Sequence, residues 1–264
     1  MSIYNAVKRL ILYSDVFDAL SDATPVAVVP QENCIFGGVI ETYDNFRRSN
    51  FGFIQGEALL KVEHCLVVRK GTSLADIQRV MSHEQALGQC RLFLKTYLPE
   101  AEQVKMPSTA SAARALLDNP PNCAAICSKL CASIFSGLDV LKECIQTGNV
   151  NYTRFLIITR NRNTTIPARF LVAPCYRALY SIRAGSSNSS DLMDVLKLLS
   201  VRVTRVDRRP DVAATTPFQD IYFVEVERIA SEPSRDIVAW TIEVDRLVLS
   251  VRQAGGDITV IGIW

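Results

Sequence analysis

Histidine is scarce in this chain: His64 and His83 are the only two among 264 residues. Zinc sites ordinarily combine close cysteine pairs with histidine, and neither ingredient is present in that pattern. One histidine beside other groups also makes no acid–base constellation, so His83 reads as structural. Charge of one sign is lacking too. The net charge is +2 with no Lys/Arg block, and Arg162, Arg169, Arg177 and Arg183 are scattered without aromatic interleaving. Nucleic acid is therefore excluded as a partner. Long apolar runs are missing, which argues against a membrane span. The opening MSIYNAVKRLILYSDVFDAL is basic and apolar, but it lacks the longer apolar core and small-residue cleavage site of a signal peptide. Val7, Leu10, Ile11 and Tyr13–Val16 instead predict one helix face and a cytosolic (cytoplasmic) chain. Cysteine is not lacking, at eight residues. Disulfide frameworks belong to small secreted domains, however, and this chain is long and rich in apolar residues. Cys123, Cys127 and Cys131 recur every fourth residue and are expected to pack as small buried hydrophobes rather than to hold a metal.

What is present is a globular composition, 48% apolar and 21% charged. The length suits two compact units rather than one small core. VAVVP (26–30) reads as a buried strand ended by Pro30, and a helix follows Gly37-Gly38. ALLKVEHCLVVRK (58–70) alternates like a strand pair. DIQRVMSH leads into the helical QALGQCRLFLKTYL. STASAARALLDN is a helix capped by Ser108 or Thr109. NCAAICS is a strand, SKLCASIF a helix, and FLIITR a further strand. Alternation of this kind predicts an α/β domain with mostly parallel sheets. Beyond the linker-like NRNTTIPARFLVAPCY the order is strand RALYSIR, loop AGSSNSS, helix DLMDVLKLLS and strand VRVTRVDRR. Strand DIYFVEVE, a helix in IVAWTIEVDRLVLSVRQAG and strand DITVIGIW complete it. That is β-α-β-β-α-β, the ferredoxin-like order.

Six segments, in order, resemble prephenate dehydratase: VVPQENCIFGGVIETYD (28–44), GEALLKVEHCLV (56–67), SHEQALGQC (82–90), PSTASAA (107–113), AAICS (124–128) and NYTRF (151–155). The remainder resembles the ACT regulatory domain: VTRVDRRP (203–210) is similar to its strand ending in E-S-R-P, and ITVIGIW to its last strand. The wording QENC and SHEQALGQC is most similar to fungal-type members. The resemblance implies a bilobal, periplasmic-binding-protein-like α/β catalytic domain over 1–165, its site in the cleft between lobes. An ACT domain over 166–264 follows, pairing subunits into a homodimer or homotetramer.

The activity implied is conversion of prephenate to phenylpyruvate, CO2 and water. Aromatisation drives it, so neither cofactor nor metal is required. The kinetic difficulty is the departing hydroxide, which needs hydrogen bonds as its charge develops. Thr153 matches the family's catalytic threonine and would donate to that oxygen; read by itself it is a β-branched strand residue. Arg154 beside it cannot usefully bind the carboxylate that leaves, because that would stabilise the ground state. The pyruvyl carboxylate or a structural salt bridge are its two candidate partners. Asn33 matches an active-site asparagine, and equally suits a turn after Pro30. Ser82 and Gln89 match catalytic polar residues, although Ser82 could also cap the helix that begins near Glu84. Ser108 and Thr109 precede a helix whose N–H groups suit a substrate carboxylate.

This sequence also departs from the family. The strand and G-P-x-G-T-Y/F-S loop that open the family's domain are not found ahead of VVPQEN, which suggests an N-terminal truncation. Cys34 stands at a substrate-contacting position where the family has Ser or Thr, and a thiol is the weaker donor. Asp207, Arg208, Arg209 and Pro210 replace E-S-R-P as the phenylalanine-binding segment, while AGSSNSSDL occupies the place of G-A-L. Three alternatives therefore stay open: an arogenate dehydratase, a decarboxylase that does not dehydrate, and a non-catalytic amino-acid sensor.

Overall fold

The computed structural model of the chain describes residues 13–48, 50–148, 150–166, 176–184, 192–199, 201–228 and 236–264. Val7, Leu10 and Ile11 of the expected first helix lie outside them, as do the loop at 185–190 and residues 167–175 of the expected linker. Within these limits the chain runs α1 (Tyr13–Asp18), β1 (Val26–Asn33), β2 (Gly37–Gly38), α2 (Ile40–Phe46), β3 (Phe53–Lys61) and β4 (Cys65–Arg69). It continues through β5 (Arg79–Ser82), α3 (Glu84–Gln89), α4 (Arg91–Tyr97), β6 (Glu102–Lys105), α5 (Thr109–Ala115), β7 (Cys123–Cys127), α6 (Lys129–Ile134) and β8 (Leu138–Lys142). The last elements are β9 (Tyr152–Thr159), β10 (Arg177–Ala184), α7 (Leu192–Leu198), β11 (Arg202–Pro210), β12 (Asp220–Glu227), α8 (Ile237–Gln253) and β13 (Asp257–Ile263). None of the described helices is long and apolar enough to cross a membrane.

Two compact units result, one formed by the chain up to Leu59 with Thr153–Trp264, the other by Leu60–Tyr152. The first is built on an eight-stranded sheet ordered β11-β12-β10-β13-β3-β9-β1-β2. Its C-terminal four strands, with α7 and α8, have the expected β-α-β-β-α-β order and the ferredoxin-like neighbour pattern. Trp240, Val244, Val248 and Val251 repeat at helical spacing along α8, and this stripe packs on Tyr180, Ile182, Val224 and Val226 of the sheet. A second core gathers Phe17, Tyr43 and Phe46 from α1 and α2 with Leu156, Ile158, Ile221 and Phe223 from the strands. The rings of Tyr43 and Phe46 meet edge to face at 5.7 Å. Burying each such side chain contributes roughly 1.5–3 kcal/mol.

The two halves of this sheet meet at a narrow seam. β13 runs parallel to β3 with a single registered pair, Gly262 against Ile54. A Cβ on Gly262 would lie 2.5 Å from the Ile54 Cβ, so only glycine permits the approach. Gly52, at φ +104°, turns the chain into β3, and its backbone passes so near the Thr159 carbonyl that a Cβ would sit 2.3 Å away.

The second unit has a five-stranded sheet ordered β6-β5-β7-β4-β8. All five residues of β7 are buried, because α3 and α4 cover one face and α5 and α6 the other. Alternation sends Ala124 and Ile126 to one core and Cys123, Ala125 and Cys127 to the other. The cysteines are thus small packing residues, as expected.

Two expectations are corrected. The sheets are mixed rather than mostly parallel. β5 pairs in parallel with β6 and β7, but β4 is antiparallel to β7 and β8. In the larger sheet β1–β9, β10–β12, β10–β13 and β11–β12 are all antiparallel. Helix–strand alternation fixes only the crossovers a helix spans, whereas partners such as β1 with β9 and β4 with β8 are joined by no single helix and meet antiparallel. Nor does Pro30 end β1. The strand continues to Asn33 through a bulge between Pro30 and Glu32, where a missing N–H is tolerated. VAVVP is also only partly buried, with Val28 exposed.

Candidate active site

The mouth of the β1–β9 ladder brings together two of the residues singled out above. Antiparallel register sets Asn33 opposite Thr153 and Glu32 opposite Arg154. The Asn33 Nδ2 donates to Thr153 Oγ1 at 3.1 Å. Its Oδ1 accepts from the backbone N–H groups of Ile35 and Phe36 at 3.0 and 3.2 Å. Asn33 therefore serves the turn and the threonine at once, so its two readings are compatible. By accepting from Asn33, Thr153 keeps its own proton for donation. Cys34 is exposed in the adjoining turn.

Neighbouring strand residues point to opposite faces, so Arg154 turns away from the Thr153 hydroxyl. The residue is 9% exposed, and its guanidinium is held by carboxylates. Nη1 and Nη2 donate to the two oxygens of Glu225 at 2.8 and 2.9 Å. Nη2 also lies 2.7 Å from Glu32, and Nη1 3.4 Å from Glu57. Arg177 pairs with Glu57 at 3.0 Å, and the Trp264 indole donates to Glu57 at 3.1 Å. Gln31 Nε2 bridges the Tyr43 hydroxyl at 3.1 Å and Glu225 at 3.0 Å. Burial pushes the Glu225 carboxyl up, but hydrogen bonds and charge from Arg154, with Gln31 and Arg177, outweigh it and hold the group below the ordinary glutamate value. Burial works against the charge on Arg154 as well, and its carboxylates reverse the sign, so the guanidinium is held above its ordinary value. Of the two partners considered for Arg154, this geometry realises the structural ion pair. A substrate carboxylate would have to displace Glu225 or Glu32.

β9 and β12 are separated in the sheet by β3, β13 and β10. A two-pronged bond between them requires the sheet to curl round its inner face. Arg205 of β11 likewise reaches Glu32 of β1 while also pairing with Asp207. The residues of the DRRP segment are similarly engaged. Arg209 Nε donates to Asp44 of α2 at 2.7 Å, and Arg47 donates to the Pro210 carbonyl at 2.9 Å. Arg208 is exposed, 3.5 Å from Asp220.

Ser82, Gln89, Ser108 and Thr109 belong to the second unit. Ser82 is 0% exposed, and its hydroxyl donates to the Ile126 carbonyl at 2.6 Å, tying β5 to β7. It does not cap α3. That place is taken by His83, whose Nδ1 accepts from the Gln85 N–H at 3.3 Å, in keeping with its structural reading. Gln89 Oε1 accepts from Asn151 Nδ2 at 3.1 Å and also meets His64 Nε2. An amide oxygen can only accept, so Nε2 carries the imidazole proton. Ser108 is the N-cap of α5 in a reciprocal box with Ser111, both bonds 3.0 Å, and Thr109 is the first helical residue.

Glu57, Glu225 and Gln31 escaped the reading from sequence. One signal was visible: Glu225 interrupts the apolar FVEV run of a strand, and a charge there is buried only with a partner. Its partner, 71 residues away in the chain, was not.

The family model described as prephenate dehydratase matches residues 8–163. A bifunctional chorismate mutase/prephenate dehydratase from Stutzerimonas stutzeri is 38% identical over 152 residues, covering 57% of this chain and 41% of that protein. Arogenate dehydratase/prephenate dehydratase 2, chloroplastic, from Arabidopsis thaliana is 30% identical over 184 residues, 70% of this chain and 47% of that one. Among solved structures, prephenate dehydratase in complex with L-Phe from Arthrobacter aurescens has a TM-score of 0.73 at 27% identity, covering 94% of this chain and 77% of that chain. The chain spans about half the length of the curated relatives it matches. The match over 8–163 embraces the Asn33–Thr153 pair and every polar residue described in the second unit, and the chain belongs to the prephenate dehydratase family.

Proposed function

We propose that this chain dehydrates and decarboxylates prephenate to phenylpyruvate in the cytosol, as a step towards phenylalanine. The observation that carries the reading is the hydrogen bond from Asn33 to Thr153, which leaves the threonine proton to be donated. Thr153 supplies a hydrogen bond to the departing hydroxyl as negative charge builds on it. Asn33 fixes the hydroxyl's direction. Gln89 and Ser82 act as positioning groups, since their polar atoms are engaged with protein partners. Cys34, Ser108 and Thr109 are the proposed substrate contacts. The expulsion of CO2 and water needs no electron acceptor and no Lewis acid, because aromatisation supplies the driving force.

To test this, the purified chain is incubated with prephenate and phenylpyruvate is followed by its ultraviolet absorbance in alkali. Signal above the acid-catalysed background is expected. Thr153→Ala should lower kcat at least ~100-fold, the loss typical of one preorganised donor, with the thermal midpoint little changed. An unchanged rate in that variant would remove Thr153 from the mechanism. Arogenate is run in parallel, because a relative 30% identical to the chain carries both names.

We assign residues 1–165 to the catalytic part and 166–264 to an ACT-type regulatory part. Support comes from the end of the family match at residue 163 and from the β-α-β-β-α-β order beyond it. L-phenylalanine is the proposed effector, at Asp207, Arg208, Arg209 and Pro210, since a structural relative is described with L-Phe bound. Association into dimers or tetramers is supported by the edge strand β11 and by Val238, Ile242 and Leu249 exposed on α8.

A further inference from the structure

We propose that Glu225, on β12 of the C-terminal segment, is a positioning residue for Thr153, acting through Arg154. The inference rests on the proposed function only for its kinetic consequence; the anchoring itself is a statement about the strand.

Four observations lead to it. Arg154 follows Thr153 directly on β9, so any rotation or slip that moves one moves the other. Glu225 is the only carboxylate among the described residues to take both terminal nitrogens of Arg154 in a two-pronged bond, at 2.8 and 2.9 Å. Such a fork fixes orientation as well as distance. Glu225 is itself immobilised, 1% exposed, with Gln31 donating to it at 3.0 Å and the Thr204 hydroxyl at 3.2 Å. Finally, Thr153 stands at the end of the β1–β9 ladder, where backbone pairing alone is weakest: the last registered pair is Asn33–Thr153, just past the bulge. A strand end that must aim a hydroxyl needs a second restraint. The ion pair on its other face supplies it, from a segment 71 residues further along the chain.

The experiment compares the full chain with Glu225→Gln, which keeps size and one acceptor oxygen but loses the charge. Asp245→Asn, which breaks the exposed ion pair with Arg162, is the control. Two readouts are taken. Amide exchange over residues 152–155 should speed up at least ~10-fold in Glu225→Gln and not in the control, with exchange in β7 unchanged. Turnover of prephenate should lose at least ~10-fold in kcat with KM within about twofold, the signature of lost alignment rather than lost binding. Arg154→Lys, which keeps charge but not the fork, should match it, and the double variant should be no worse than either. Unchanged exchange at 152–155 overturns the proposal. So does a KM raised tenfold at constant kcat, which would make the guanidinium a substrate ligand. If the wild-type chain does not turn over prephenate, the functional reading falls, and the exchange result alone decides the anchoring. If Glu225→Gln does not fold, Thr204→Val loosens the same carboxylate, and a pattern of the same kind but smaller is required; its absence overturns the proposal.

Discussion

At the scale of single residues, Asn33, Ser82, Gln89, Ser108 and Arg154 each have a structural partner, and the chemistry is superimposed on that. Asn33 completes a turn and orients Thr153. Gln89 clasps His64 and Asn151. The His64 contact has a pH consequence. Burial pushes the imidazole below its ordinary value, with the Gln89 contact opposing. The native state therefore prefers the neutral ring. The unfolded chain binds the proton more readily once the pH falls below about 6.5. Stability from this group is complete above that value and declines as the pH falls towards the lower native pKa. Urea midpoints measured near pH 7.5 and near pH 5.5 should show the decline, and in His64→Asn the difference should shrink. An equal decline in the variant would place the titrating group elsewhere.

At the scale of elements, glycine at the seam carries a measurable load. Gly262→Ala introduces a Cβ against Ile54 with no flexible neighbour to yield. It should cost roughly 1–3 kcal/mol, the usual penalty of overpacking, read as a lowered denaturant midpoint. A neutral effect would mean that β13 and β3 part without loss. The elements themselves were largely legible. Segments such as DIYFVEVE and DITVIGIW fall on β12 and β13 because period-2 alternation and flanking turns are local signals. Strand direction was not legible, since antiparallel partners such as β1 and β9 lie far apart in the chain. The continuation of β1 past Pro30 was hidden by a bulge, which exists only once β9 is its partner. The Asn33–Thr153 pair was foreseeable from resemblance alone, whereas the Arg154–Glu225 fork depends on a curl of the sheet that no local pattern encodes.

At the scale of the whole molecule, the buried cysteines among the described residues all report on the second unit. Cys34 and Cys144 are exposed, while Cys65, Cys90, Cys123, Cys127 and Cys131 are buried in the second unit. Burial pushes the Cys90 thiol up to about 12, which keeps it in the unreactive form. Among these seven, a thiol reagent should modify Cys34 and Cys144 first under native conditions. Labelling of the buried five, mapped by peptide mass, should follow the denaturant transition of the second unit. Early labelling of Cys123 or Cys127 would contradict the packing of β7. The seam at Gly262 has a different consequence, one of interchangeability. The four C-terminal strands complete their own ladders, and the backbone joins them to the rest of the sheet through one registered pair. Exchanging such a segment would break little backbone pairing, but it would uncover the core that Leu156 and Ile158 share with Ile221 and Phe223. What any substitute segment would have to re-create is that apolar face together with the carboxylate in the place of Glu225.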